Sequence, residues 1–354
     1  MTSIADSGFW NGRRVLVTGH TGFKGTWLCA LLLRRGATVS GLALPPNTTP
    51  SLWALAPYSS YVEERIADVR NANGIDAALS EMRPQTVFHL AAQPLVRRGY
   101  AEPVLTYETN VMGTVNLLEA VRHTQSADSV VVVTSDKVYA DAPEPGGYTE
   151  DARLGGADPY AGSKAAAELV VETYHSAYFS RGNSARIATA RAGNVVGGGD
   201  FSADRLLPDA YRAIVAGVPL RLRHPEAVRP WQHVLDPLHG YLLLGEALAQ
   251  HKIEGGAFNF GPDLTATAME AAQQFVGAMG GNLASGIVPE PASGAEHETA
   301  VLEVDSSRAR KQLGWKPRWS PGAAIETAAA WYRDFIAGQR VEHLISRDLD
   351  AYAR

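Results

Sequence analysis

Tyr160 and Lys164 stand four residues apart in Tyr160-Ala161-Gly162-Ser163-Lys164, at the head of an Ala-rich stretch. In a helix that spacing puts both side chains on one face, a turn apart. A phenol held beside a fixed ammonium is a general base, because the positive charge favours phenolate and lowers its pKa. The pair alone is a weak signal, since Tyr-x-x-x-Lys also arises by chance. Near the N-terminus, however, lies Gly19-His20-Thr21-Gly22-Phe23-Lys24-Gly25, preceded by the apolar run Val15-Leu16-Val17 and followed by Trp27-Leu28-Cys29-Ala30-Leu31-Leu32-Leu33. Strand, glycine loop and helix form the context in which glycines let a backbone approach a pyrophosphate seated on a helix N-terminus. An ordinary tight turn would need no such context. A phosphate-binding ATPase loop needs Gly-Lys-Ser/Thr, and the order here is Lys24-Gly25-Thr26. Together the two features point to hydride chemistry on an alcohol or ketone.

Positioning these groups requires a sheet. Apolar or β-branched runs predict further strands at 38–44, 61–66, 86–90, 129–134 and 186–191, with helices at 76–82, 104–121 and 160–179 between them. The alternation is that of an α/β fold, a doubly wound parallel (Rossmann) sheet. Beyond Gly193 the run Gly197-Gly198-Gly199 and several prolines mark shorter elements, read as a smaller substrate-binding lobe. The expected division is 1–192 for the dinucleotide-binding domain, with a returning segment near 233–262, and 193–232 with 263–354 for the lobe. Ligands of such sheets bind outside the carboxyl ends of the strands. Gly19, Ala91, Ser135 and Asn194 all follow strands, so all four are expected to line one crevice.

Composition excludes several classes. The 354 residues carry a net charge of −5 with both signs mixed, which gives no nucleic-acid surface. Cys29 is the one cysteine, so neither an internal disulfide nor a cysteine metal cluster is expected, and no metal site is predicted among the ten histidines. The first ten residues lack the pattern of a signal peptide, and no apolar run has membrane-spanning length. A cytoplasmic enzyme is the expectation.

The ordered set Thr18-Gly19-x-x-Gly22-x-x-Gly25, Asp68-Val69-Arg70, His89-Leu90-Ala91-Ala92, Asn110-Val111-x-Gly113-Thr114, Tyr160-x-x-x-Lys164 and Arg191-x-x-Asn194-Val195 resembles the extended short-chain dehydrogenase/reductases of nucleotide sugars. Within that family the chain is similar to the 4,6-dehydratase branch that takes CDP-glucose. The likeness lies in the loop at 19–25, Ala92-Gln93-Pro94-Leu95-Val96-Arg97, the block from Ala190 to Asp200, and Arg229-Pro230-Trp231-Gln232-His233-Val234. The resemblance covers residues from about 10 to 335. It implies an NAD cofactor held by Gly19, Thr21, Gly22, Phe23, Lys24, Gly25, Asp68, Val69, Leu90, Ala91, Ala92, Thr109, Tyr160 and Lys164. It implies a nucleotide-diphosphate sugar held by Gln93, Asn194, Arg205, Arg229, His297 and Glu298. Asn110 is read as structural. Pairing of the two long helices into a homodimer or homotetramer is the family's habit.

The same resemblance implies catalytic roles for Ser135-Asp136-Lys137, where the wider dehydratase family carries Thr-Asp-Glu. The C5 proton of a hexose is not acidic until C4 is oxidised to a ketone. Tyr160 would take the C4 hydroxyl proton, Ser135 would bind the C4 oxygen, and Lys164 would hold the nicotinamide ribose and depress the Tyr160 pKa. Lys137 would take the C5 proton and Asp136 would protonate the departing C6 hydroxyl. These roles need a neutral lysine, lowered from about 10.4, and a raised carboxyl, both favoured in a dry site. Three departures stand out. The end of the second strand, Gly41-Leu42-Ala43-Leu44-Pro45-Pro46, offers neither an acid for a ribose 2′-hydroxyl nor an Arg for a 2′-phosphate. Ser135 stands for the commoner Thr, and Val138-Tyr139-Ala140-Asp141 differs from the branch's usual continuation. A different nucleotide sugar, a nucleotide-sugar epimerase or reductase using Tyr160 and Lys164 without Asp136-Lys137, and a non-catalytic NAD(P) sensor are the other readings.

Overall fold

The computed structural model describes residues 8–140, 146–180, 185–280, 286–290 and 299–354. Seven strands form the central sheet: β1 Arg14–Thr18, β2 Thr38–Ala43, β3 Glu63–Ile66, β4 Thr86–His89, β5 Ser129–Val133, β6 Arg186–Arg191 and β7 Gly256–Asn259. Their spatial order is 7-6-5-4-1-2-3, and every pairing is parallel. β4 and β5 are buried throughout, which is why β5 reads as an almost continuous run of valines. The strand order reverses between β1 and β4, and at such a switch point the two outgoing loops diverge and leave a crevice.

Helix Phe23–Arg34 packs its Trp27, Leu28, Leu31 and Leu32 into a core shared with helix Leu235–Ala249. On the other face, helices Ala72–Met82, Gly113–Thr124 and Pro159–Tyr174 enclose a second core around Leu16, Val87, Val130 and Ile187. The long helix expected at 104–121 is interrupted. It runs Pro103–Tyr107, widens into a π-type turn at Glu108–Met112, and resumes at Gly113. Such a turn re-aims side chains and is frequent near functional sites. Here it points Asn110 inward, where its Oδ1 accepts from the Gln93 amide (2.8 Å) and its Nδ2 donates to Ser163 Oγ (2.8 Å). Helix Leu206–Ala216 and the short strand pairs Leu220–Leu222 with Ile287–Pro289 and Val228–Arg229 with Ala266–Thr267 cover the open side of the crevice. No helix among the described residues is long and apolar enough to cross a membrane.

Candidate active site

The crevice is a cleft of about 920 Å³. At one end lies the glycine loop. Gly19 adopts φ +74°, and a Cβ there would stand 2.7 Å from the Ala91 nitrogen, so only glycine lets the first and fourth strand-end loops meet. A Cβ on Gly25 would overlap the Gly19 carbonyl. Gly22 is exposed and caps helix Phe23–Arg34 without a side-chain hydrogen bond, and no acid sits in the first turn. The helix therefore presents free N–H groups and its positive end to the cleft, the requirement for a pyrophosphate. The loop, the wall of Leu90, Ala91 and Ala92, and the Asp68-Val69 corner with Thr109 all line this end, so the residues present fit a dinucleotide. Asp68 does double service: its Oδ1 accepts from the Arg70 amide (2.9 Å), and the Arg70 side chain holds its Oδ2 (2.6 Å). At the end of β2 the lining is Leu44, Pro45, Asn47, Thr48 and Thr49, with neutral polar groups in place of the missing acid.

The catalytic candidates gather on the far side of the same cleft. β5 ends at Val133, and Ser135 caps a single turn, Asp136–Val138, by accepting from the Lys137 amide (3.2 Å). Asp136 is 2 % exposed; Oδ1 accepts from Ser135 Oγ (3.2 Å). Burial is the main cause that raises its pKa, opposed by the charge of Lys137, the Ser135 hydrogen bond, and Arg229 and Lys24. The carboxyl packs flat against Gly193, where any Cβ would overlap it. Lys24 shows part of its surface to the cleft but is walled round by protein. Burial, then the charges of Arg205 and Lys164, lower it to about 7, with Asp136 pulling the other way.

Tyr160 and Lys164 lie in helix Pro159–Tyr174, capped by Asp158, whose Oδ1 accepts from the Ala161 amide (2.9 Å). The expected lowering of the Tyr160 phenol does not appear. Burial pushes it up to about 12, the Ser135 hydroxyl pulls it back, Asp136 adds to the rise and Arg205 opposes it. Lys164 instead donates to the Val133 carbonyl (3.0 Å), and burial lowers it to about 8 against the attraction of Glu168. Desolvation outweighs the i,i+4 pairing on which the expectation rested. Glu168, one turn further on, was not singled out in the sequence, although its spacing from Lys164 repeats the Tyr160–Lys164 step. It is buried with Arg191 (2.8 Å), accepts from Thr189 Oγ1 (2.7 Å) and also pairs with Thr134. Arg191 in turn donates to the Tyr139 hydroxyl (2.9 Å), directly beyond the catalytic turn.

Of the substrate candidates, Asn194, Arg205 and Arg229 line the cleft. Arg205 pairs with Asp200 (2.7 Å), and Arg229 donates to the Val228 carbonyl (2.7 Å). Gln93 also lines it, and its side-chain amide bonds to Leu95 and to Thr106 Oγ1 (2.9 Å), which holds its loop. His297 and Glu298 lie outside the described residues.

The chain is similar to several known proteins. The family described as GDP-mannose 4,6 dehydratase matches residues 16–327. A CDP-glucose 4,6-dehydratase of Salmonella typhimurium is 40% identical, over 99% of this chain and 98% of its own length. A dTDP-glucose 4,6-dehydratase of Streptomyces griseus is 31% identical, over 90% and 93% of the two chains. A solved UDP-glucose 4-epimerase of Thermus thermophilus in complex with NAD superposes with TM-score 0.76 at 26% identity, over 90% of this chain and 99% of its own.

Proposed function

The chain belongs to the GDP-mannose 4,6 dehydratase family of nucleotide-sugar enzymes, and from that premise we propose that it is an NAD-dependent CDP-glucose 4,6-dehydratase. It converts CDP-glucose to CDP-4-keto-6-deoxyglucose. The observation that carries the reading is the turn of buried Asp136 and half-buried Lys137 in the same cleft as Tyr160 and Ser135. A plain oxidation or an epimerisation needs only the latter pair, whereas elimination across C5 and C6 needs an acid and a base besides. The 40% identity along the whole chain supports CDP-glucose as substrate.

The loop at 19–25, Asp68, Ala91 and Lys164 would hold NAD, which supplies when bound a hydride acceptor at C4 and, once reduced, a donor at C6. Acting as the phenolate, with the Lys164 ammonium one turn away and the Ser135 hydroxyl opposing the rise that burial imposes, Tyr160 takes the proton of the C4 hydroxyl, and Ser135 hydrogen-bonds the same oxygen. With a carbonyl at C4, the C5 proton becomes acidic and passes to Lys137. Asp136, whose pKa burial raises, gives its proton to the C6 hydroxyl, which leaves as water. Arg205, Arg229 and Asn194 orient the diphosphate, a task that suits guanidinium donors. Val104, Tyr107, Met112 and Leu169 are exposed on the two long helices and support assembly into at least a dimer through that face.

The test is to incubate the purified protein with NAD and CDP-, dTDP-, GDP- or UDP-glucose. An alkali-sensitive 4-keto chromophore from CDP-glucose, without net NADH, is expected. An epimer, or NADH in proportion to sugar, would overturn the proposal.

A further inference from the structure

Three buried polar atoms on residues linked through Gly193 and Phe260 have no protein partner among the described residues: Asp136 Oδ2, Gln232 Oε1 and the Tyr241 hydroxyl. Gln232 and Tyr241 are wholly enclosed. Several contacts tie the three together. The Asp136 carboxyl rests on Gly193. Gln232 Nε2 donates to the Gly193 carbonyl (3.2 Å) and the Phe260 carbonyl (2.8 Å). The Tyr241 ring meets Phe260 edge-on, with centroids 5.6 Å apart. Helix Leu235–Ala249, which carries Tyr241, packs on β5, whose end bears the catalytic turn. Tyr241 feels the charges of both Tyr160 and Asp136.

Buried polar groups are rarely left unpaired, and a buried water satisfies two to four of them at once. We propose that Gln232 and Tyr241 are positioning residues for Asp136, holding its Oδ2 through a shared buried water and leaving Oδ1 as the oxygen offered to the substrate. The role of Asp136 rests on the dehydratase reading; the water site does not. Burial keeps the Tyr241 phenol protonated, so its O–H donates to the water. The water donates to Gln232 Oε1 and to Asp136 Oδ2. This donor steadies the carboxylate left after proton transfer and tempers the rise that burial imposes, alongside Ser135, Lys137, Arg229 and Lys24. An acid held this way can both keep its proton and release it.

A high-resolution crystal structure of the wild-type protein should show one water within hydrogen-bonding distance of all three atoms; a dry site would overturn the proposal. Tyr241→Phe removes only the hydroxyl. Infrared titration of the Asp136 carboxyl, read as the protein minus its Asp136→Asn variant, should move up by about one unit in Tyr241→Phe. With CDP-glucose, kcat should fall about tenfold, the worth of one hydrogen bond to a charged group, with KM unchanged. The alkaline limb of the kcat profile should move up with the carboxyl. A lower Tm with the titration and the profile unmoved would mean that Tyr241 is only a core residue, and would refute the inference. A wild-type protein that holds the water and titrates as described, yet leaves CDP-glucose intact, would overturn the functional reading and support the site.

Discussion

Gly193→Ala tests whether the Asp136 carboxyl is held where the chemistry needs it. Gly193 is not among the glycines with positive φ, so alanine meets no backbone strain there. The nearest obstacle is Asp136, whose three carboxyl atoms a Cβ would overlap. The backbone on either side is fixed, Thr134 by the Ala190 carbonyl (3.0 Å) and Gly193 by Gln232 (3.2 Å), so the side chain has to give way. Forcing an extra carbon into a packed interior costs about 1–3 kcal/mol. Moving a catalytic group by roughly 1 Å costs on the order of 100-fold in rate. Dehydration of CDP-glucose should therefore fall about 100-fold, with a modest loss of Tm by calorimetry. Placed in an Asp136→Ala background, the same methyl no longer meets a carboxyl and should cost less stability. Gly277→Ala, with nothing within 4 Å of its Cβ in helix Ala268–Ala278, is the control; it should stabilise by about 0.5–1 kcal/mol and leave activity alone. A Gly193→Ala protein within twofold of wild-type rate, or an equal Tm loss in both backgrounds, would refute the reasoning.

Four other outcomes are expected. Tyr160→Phe should lower kcat by roughly 10²–10⁴-fold while NAD binding, followed by fluorescence titration, survives. Asp136→Asn and Lys137→Met should still oxidise C4 and stall before water is lost. Solvent deuterium should enter C5, by NMR of the recovered sugar, in the first and not in the second. Glu168→Ala strands the buried Arg191 charge and should destabilise by about 3–5 kcal/mol in denaturant unfolding. Asp348 is raised from 3.8 to about 7 by burial, against the charge of Arg347. A carboxyl raised on folding contributes fully below its ordinary pKa and loses that contribution as pH climbs to the folded value. Asp348→Asn should therefore raise Tm relative to wild type at pH 8 and change it little at pH 4.

Most of the sheet was legible because its central strands are buried on both faces; the edge strand Gly256–Asn259, half exposed, was not read. Runs such as Val130-Val131-Val132-Val133 admit few other placements, and strand 186–191 was read to the residue. The glycine loop and the Tyr160–Lys164 step were legible because their spacing is local. What escaped depends on neighbours far apart in sequence. The π-type turn at Glu108–Met112 answers to Gln93 and Ser163, and the Glu168–Arg191 pair joins a helix to a strand. The direction of the Tyr160 shift was misread because a helical spacing reports a neighbour but not the burial that outweighs it. The loop that Gln93 holds through Leu95 and Thr106 likewise could not be read from its motif.

The central claim is that one cleft oxidises C4, eliminates water across C5 and C6, and returns the same hydride. CDP-glucose deuterated at C4, turned over with unlabelled NAD and examined by mass spectrometry and NMR, follows that hydride directly. The account predicts a 4-keto-6-deoxy product with deuterium at C6 and none accumulated in NADH. Deuterium recovered in NADH, retained at C4 of an epimer, or absent from C6 would contradict it.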